Sequence, residues 1–321
     1  MTYDLPFEKP LAELEKRIEK LKRKEERLSD EERVQLQQLE QELQQKMCAI
    51  YSNLTPWQTV LVARHQNRPH TIDYLKMLCA DFTELHGDRL MADDTTIIGG
   101  PATLDGTPVM FIGQEKGRGI TDQRFRNAGQ AHPAGYRKAH RLLEQAEKFH
   151  LPVVCLIDTP GASIALEDEE RGQASAIAHN LYLMAQLRVP TIGIIIGEGS
   201  SGGAPGIGVV DRLLMLEYSY YTVASPEAAA TIMWRDGKFA AQAAEAMQIT
   251  AQQLKARGLV DDIIAEPPGG AHRQYQQAAE LVKASLLHHL QALKQLAPDE
   301  LLEQRYQKRR AIGPYSKVSA V

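Results

Sequence analysis

Six of the twelve residues Gly197–Gly208 are glycine, and they follow directly on the apolar run Pro190–Ile196. Glycine lets the main chain approach a ligand closely and take positive φ. Placed between a strand and a helix, such a turn presents backbone N–H groups at the positive end of the helix dipole, which suits negative charge. Pro205 has no N–H, so any donors must come from residues near Gly202, Gly203 and Ala204. A second loop of this kind, Asp158-Thr159-Pro160-Gly161-Ala162, follows the apolar run Pro152–Asp158.

Three chemistries fit the glycine run. Gly197-x-Gly199-x-x-Gly202, with Glu217 about twenty residues on, has the dinucleotide-binding spacing, but Gly206 and Gly208 interrupt the helix that a Rossmann unit needs. Gly199-x-Ser201-x-Gly203 has the spacing of a serine-hydrolase elbow, and His272 is the histidine that would have to serve it. In the third, two glycine loops at adjacent strand ends aim backbone N–H groups at one developing oxyanion with no side-chain nucleophile, each donor worth roughly 3 kcal/mol of barrier. Both loops could equally be ordinary tight turns.

The elements that must hold these loops follow from the hydrophobic pattern. Residues 1–55 are expected as two helices folded back on each other. Leu11, Leu14, Ile18, Leu21 and Leu28 form the first stripe and Leu36, Leu39, Leu43, Met47 and Ile50 the second, with a capping box at Ser29-Asp30-Glu31-Glu32 between them. Such a hairpin is a structural or oligomerisation arm, or a coiled coil that recognises a partner. Residues 56–90 connect, with Thr71 as the cap of a short helix reaching Leu78. Residues 91–265 form the core. Its strands are expected at Thr95–Ile98, Ala102–Leu104, Thr107–Gln114, Pro152–Asp158, Pro190–Ile196, Leu213–Glu217, Tyr221–Ala224 and Leu259–Ala265, with a hairpin turn at Asp105-Gly106. Helices run from Pro133 to about His150, from Glu167 to Leu187, from Ser225-Pro226-Glu227, and from Thr250 to Gly258. Apolar strands alternating with helices mean a parallel α/β sheet covered on both faces. Residues 266–321 open with a Glu266–Gly270 linker. A leucine-rich helix over Ala278–Leu296 follows, then a last one capped by Asp299. Arg305, Lys308, Arg309 and Arg310 read as its C-terminal charge cluster.

Composition sets the outer limits. The 321 residues are 43% hydrophobic and 24% charged, which is globular and not disordered. A net charge of −4 excludes a dedicated nucleic-acid binder. No run of about 18 apolar residues offers a membrane span, and the first ten residues lack signal-peptide features, so a cytoplasmic protein is expected. Cys48, Cys79 and Cys155 form no CxxC pair, so no metal site is expected. Residues 114–141 carry seven basic residues against Glu115 and Asp122. That surplus is either a solvated face or a contact for a phosphate-rich ligand or an acidic partner, with Lys116 and Arg118 the best placed after a strand end.

The motifs together resemble the carboxyltransferase α subunits of bacterial acetyl-CoA carboxylase. Those carrying the likeness are Asp158–Ala162, Gly197-Glu198-Gly199, Ser201–Ala204, Ser225-Pro226-Glu227 and the stretch from Glu266-Pro267 to Gly269-Gly270-Ala271-His272-Arg273. Arg64-His65, Arg68-Pro69, Gly87-Asp88-Arg89, Ala92-Asp93-Asp94 and Tyr136-Arg137-Lys138-Ala139 extend it over nearly the whole chain. The resemblance implies a crotonase-type ββα superhelix. It also implies transfer of a carboxyl group from carboxybiotin, on a biotin carboxyl carrier protein, to acetyl-CoA, giving malonyl-CoA for fatty-acid synthesis. The partners implied are a zinc-bearing β subunit, the carrier protein and biotin carboxylase, in an α2β2 arrangement with no nucleic-acid or membrane partner. As part of an ATP-dependent carboxylase, the chain would also carry ATP and nucleotide binding. By position, Gly161 and Ala162 supply one half of the oxyanion hole and Gly203 and Ala204 the other. Gly199, Ser201, Gly202, Lys116 and Arg118 are the substrate contacts.

Several positions depart from the family pattern. Gln114 stands where a histidine is expected, Ser163 where an aromatic is, with Ile164-Ala165 after it in place of a Pro-Gly, Ser200 where a glycine is and Pro205 where a leucine is. They surround the proposed hole, so a specialised paralogue, inhibitor-tolerant or serving a secondary pathway, or one without catalysis, is the alternative.

Overall fold

The structure, a computed structural model, describes residues 5–24 and 28–313. Helices α1 (Lys9–Lys22) and α2 (Asp30–Tyr51) form the expected hairpin. Its turn carries the reciprocal capping box: Glu32 N–H donates to Ser29 Oγ at 3.2 Å and Ser29 N–H to Glu32 Oε2 at 3.1 Å. Leu14, Ile18 and Leu39 are buried between the helices, while Leu11, Met47 and Tyr51 pack on Val62 and Tyr218 of the body. Helices α3 (Pro56–Ala63) and α4 (Thr71–Leu78) follow. Thr71 is the first residue of α4 and not its cap. Its hydroxyl instead donates to the Gln114 carbonyl at 2.6 Å, and the Asp73 carboxylate takes the His70 N–H at 2.7 Å.

Strands β1 (Ile97–Leu104) and β2 (Thr107–Gln114) form a hairpin around Asp105-Gly106, both at positive φ as a type I′ turn requires. The two short strands expected over 95–104 are one. Gly100 does not break it but admits a neighbour: a Cβ there would lie 1.8 Å from the Thr83 carbonyl oxygen. The closely passing segment hydrogen-bonds to β1 through Thr83 and Leu85. Helices α5 (Gly119–Phe125) and α6 (Pro133–Lys148) lead to β3 (Val153–Thr159). The long helix expected over 167–187 is two, α7 (Leu166–Glu170) and α8 (Gln173–Gln186), because Gly172 takes φ 80° between them.

Strand β4 (Thr191–Ser200) runs four residues further than its apolar pattern. Two 3₁₀ turns, Ser201–Gly203 and Pro205–Ile207, replace the short helix expected after it. Then come β5 (Arg212–Leu216), β6 (Tyr220–Thr222), α9 (Pro226–Trp234), α10 (Ala240–Met247), α11 (Ala251–Ala256), β7 (Asp262–Ile264), α12 (Tyr275–Leu293) and α13 (Pro298–Arg310). The sheet order is β1-β2-β3-β4-β5-β7, with β6 beside the far end of β4, and every pairing except β1–β2 is parallel. β3 and β4 are buried along their whole length, as strands covered on both faces must be. One face packs on Leu142, Leu143 and Met184 of α6 and α8, the other on Leu75 of α4 and Leu286 and Leu290 of α12.

The C-terminal expectations need correcting. Glu266 is no loose linker residue: it is buried, accepts two bonds from Arg68 at 2.6 and 2.8 Å, and takes the Tyr218 and Ala271 N–H groups. Asp299 pairs with Arg188, and Ala297 occupies the cap of α13. Arg305, Lys308 and Arg309 are not an exposed end cluster. Arg305 is buried on Asp211, Lys308 pairs with Asp261, and Arg309 donates to the Val210 carbonyl. Only Arg310 of the four is exposed.

Candidate active site

Parallel strands β3 and β4 end side by side, so the two glycine loops that leave them meet. A Cβ added to Gly203 would sit 2.6 Å from the Gly161 carbonyl carbon and 2.7 Å from the Ala162 nitrogen. Gly161 takes φ 146°, a conformation that only glycine adopts readily, and its own Cβ position faces Ser201 at 3.4 Å. The four amides differ in what they already do. Gly161 N–H donates to Thr159 Oγ1 at 3.0 Å, and Ala204 N–H reaches the Ser200 carbonyl at 3.4 Å. Gly203 N–H points back along the 3₁₀ turn Ser201–Gly203, while Ala162 N–H has no acceptor among the described residues. Ala162 and Gly203 are thus in direct contact across the two loops.

Beneath the loops lies a charged network that the glycine pattern did not announce. The β3–β4 register slips between Ile157 and Thr159, and the bulge sets Glu198 among cations. Glu198 binds Lys116, Tyr220 and, at 2.6 Å, Arg64; Lys116 also binds Asp158 at 2.8 Å, and Arg64 continues to Glu227 at 2.6 Å. Asp158 Oδ1 accepts the Glu198 N–H at 2.9 Å, and Gly197 makes room, since a Cβ there would lie 2.6 Å from that oxygen. Burial opposes ionisation of Glu198, but Lys116 and Arg64 outweigh it and hold the carboxyl at about 2. A carboxyl lowered in the folded state stabilises fully above its unfolded value of about 4.3, and that gain is lost as pH falls toward the folded value. Urea unfolding followed from pH 6 to pH 3 is expected to show this loss in the wild type and a shallower one in Glu198→Gln.

The sequence-derived contacts fall differently in this frame. Gly199 lies inside β4, paired with Thr159 on one side and Tyr221 on the other. Gly202 is partly exposed, and Ser201 is exposed at φ 53°. Lys116 is spent on Asp158 and Glu198. Arg118 is spent on Asp73, the Arg68 carbonyl and the Tyr275 hydroxyl. Of the basic surplus, Arg137 and Arg141 join Arg89 and Arg171 around a cavity of about 490 Å³, beyond the two residues singled out. Sequence spacing could not find that cluster, since its members come from three separate segments.

The rival chemistries fail on position. His272 stacks on His65 at 4.0 Å, neither of its ring nitrogens has a hydrogen-bond partner among the described residues, Ser201 included, and burial pushes its imidazole down, so nothing ties it to Ser201 as a base. Gly197–Ser200 is strand followed by 3₁₀ turns, with no helix to carry a dinucleotide phosphate. ATP and nucleotide binding accordingly find no support in this chain; the ATP-dependent step belongs to biotin carboxylase. No cluster of three or more potential metal ligands occurs among the described residues, and no helix there is long and apolar enough to cross a membrane.

Comparison with known proteins gives the same direction. Residues 4–313 match the family described as acetyl co-enzyme A carboxylase carboxyltransferase-like. The acetyl-coenzyme A carboxylase carboxyl transferase subunit alpha of Synechococcus elongatus is 50% identical over 98% of this chain and 96% of its own. That of Staphylococcus aureus is 47% identical over 97% and 99%. A Pseudomonas malonate decarboxylase hetero-tetramer in complex with coenzyme A is similar with a TM-score of 0.60 at 18% identity, over 75% of this chain and 94% of that one. Transcarboxylase 12S, with methylmalonyl-coenzyme A and methylmalonic acid bound, gives 0.54 at 19% identity over 68% and 42%. These two likenesses speak to the fold, the crotonase-type ββα superhelix. Identity near one half along almost the entire chain speaks to more, and the chain belongs to the acetyl-CoA carboxylase carboxyltransferase α-subunit family.

Proposed function

We infer that the chain is the α half of a carboxyltransferase that moves a carboxyl group from carboxybiotin to acetyl-CoA, yielding malonyl-CoA for fatty-acid synthesis. The observation that carries this is the direct contact between Ala162 and Gly203, which brings the two glycine loops together at adjacent strand ends. Carboxybiotin supplies the carboxyl group and a ureido oxygen that gains negative charge and takes the methyl proton of the thioester. The chain then needs no general base of its own, only donors placed in advance where charge develops. Ala162 and Gly203 take that role. Gly161 and Ala204 shape the loops, and Gly202 is the point of close approach. Ser201 serves as a turn residue, and Asp158, Lys116 and Glu198 fix the strand ends.

The zinc-bearing β subunit supplies the thioester side, and the biotin carboxyl carrier protein and biotin carboxylase complete an α2β2-based assembly in the cytoplasm. Arg89, Arg137, Arg141 and Arg171 offer the cavity where a negatively charged partner or coenzyme phosphate meets the α subunit. A specialised paralogue is the second reading, and one observation favours it. Beside Ala162, Ser163 Oγ donates to Asp168 at 2.5 Å, and Asp168 holds His132 Nδ1 at 2.9 Å, a polar cluster where the family pattern has an aromatic.

The deciding experiment combines the chain with a β subunit and a carboxylated biotin carrier and measures malonyl-CoA. Turnover is expected only from the pair, with no fluorophosphonate labelling at Ser201. Ser201→Gly is expected to keep turnover within about threefold, because glycine takes φ 53° without strain. Pairing without turnover would overturn the assignment, and normal kinetics with normal inhibitor sensitivity would dismiss the specialised paralogue.

A further inference from the structure

We propose that Gln114 is a positioning residue that holds the two halves of the oxyanion hole together; this rests on the carboxyltransferase reading above. Gln114 is the last residue of β2 and is fully buried. Its Nε2 donates to the Gly203 carbonyl at 2.9 Å, and its Oε1 accepts the Asp158 N–H at 3.1 Å. One side chain thus spans from the root of the Asp158–Ala162 loop to the turn that follows β4, passing across β3. Its own carbonyl is fixed by Thr71 Oγ1 at 2.6 Å, so the strap is anchored at its base as well as at both tips.

The two tips demand opposite chemistry. Asp158 presents a donor and Gly203 an acceptor, so the spanning group must accept at one end and donate at the other. A carboxamide does this in every protonation state open to a protein. A carboxylate can only accept, and would set a charged oxygen against the Gly203 carbonyl. An alkyl group does neither: it leaves the Asp158 N–H without its side-chain acceptor and the Gly203 carbonyl with only the Tyr136 hydroxyl at 3.5 Å. Neutral imidazole meets the demand, but imidazolium, a donor at both ends, opposes the Asp158 N–H. Glutamine at a position where the family pattern expects histidine therefore keeps the strap but removes its titration. The titratable groups around the anchors are Tyr136 from α6, whose hydroxyl lies 3.5 Å from the Gly203 carbonyl, Asp158 itself, Lys116 from the segment after β2, Glu198 from β4, and at the base the pair of Glu115 with His70 at 3.1 Å, beside Gln114 and Thr71. Asp158, Lys116 and Glu198 are tied to one another in the network described above.

The test uses the assembled α–β enzyme with Gln114→Leu, Gln114→Glu and Gln114→His. Gln114→Leu is expected to lower kcat by about 10- to 100-fold, the scale of a misplaced catalytic group, while the KM for acetyl-CoA moves less than about threefold. Gln114→Glu is expected to recover kcat as pH falls, when its protonated carboxyl can donate to Gly203. Gln114→His is expected to approach wild type at pH 8 and to fall away on acidification, with the wild type showing neither trend. The second readout is hydrogen exchange across Gly202–Ala204 in the α chain, expected to quicken in Gln114→Leu and, at high pH, in Gln114→Glu. Unchanged exchange and unchanged kcat in these variants would overturn the strap. Quickened exchange in a wild-type background that forms no malonyl-CoA would keep the strap and overturn the carboxyltransferase reading instead. Should Gln114→Leu not fold, the near-isosteric Gln114→Glu carries the same decision through its pH profile.

Discussion

Gly203→Ala is expected to cut kcat of the assembled enzyme by about 10²- to 10³-fold, the range for loss of one oxyanion donor. The reason is steric and specific. Gly203 does not sit at positive φ, so alanine is acceptable to its own backbone. Its methyl would nevertheless stand 2.6 Å from the Gly161 carbonyl carbon and 2.7 Å from the Ala162 nitrogen, both main-chain atoms that cannot swing aside. The loops must part, and the Ala162 and Gly203 amides part with them. Gly202→Ala is the control: its methyl meets nothing nearer than Ile177 Cδ1 at 3.8 Å, so the melting temperature should not move. Steady-state kinetics with both variants separates the contact between the loops from ligand approach at the neighbouring residue. A Gly203→Ala enzyme with kcat within threefold of wild type would mean that the loop contact is not catalytic.

Arg305→Ala is expected to lower the free energy of unfolding by about 3–5 kcal/mol, the cost of breaking a buried pair from one side. Arg305 reaches Asp211 at 2.7 and 3.0 Å and donates to the Met184 and Leu187 carbonyls at 2.8 Å each. It thereby satisfies carbonyls left open at the end of α8 and neutralises the carboxylate that receives the Thr191 N–H at the start of β4. Removing it strands all of these in a dry environment. Asp211→Asn should cost less, because an amide oxygen can still serve Thr191. Denaturant titration of both variants and the double variant measures the coupling, and additivity within 0.5 kcal/mol would show that the pair does not act as a unit.

What could be read in advance was local. Strand Thr107–Gln114, the Asp105-Gly106 turn and the Ser29–Glu32 box each carry their signal within eight residues or fewer, and each stands as expected. The break at Gly172 was hidden because a lone glycine inside a helical pattern is tolerated as often as it terminates. The extension of β4 through Gly197–Ser200 was hidden because glycine argues for a turn, whereas here it clears space for Asp158 and Tyr221. The functions of Arg64, Glu198 and Lys116 were out of reach, since Arg64 meets Glu198 across 134 positions and Lys116 meets it across 82. The two loops were found from glycine spacing. Which of their amides remain uncommitted depends on Thr159 and on the bend after Ser200, and only coordinates supply that.

Glu8 accepts Tyr51 at 2.7 Å and Arg273 at 2.6 Å, so the amino-terminal arm is locked by a residue 265 positions downstream. On the ribosome, at ~5–20 residues per second, that lock stays open for roughly 13 to 53 s after Glu8 is made. For most of this interval Leu11, Met47 and Tyr51 lack Tyr218 as well, and their apolar side faces solvent. The nascent arm is therefore made long before its partners, and slowing translation between codons 51 and 273 should lengthen its exposure in proportion.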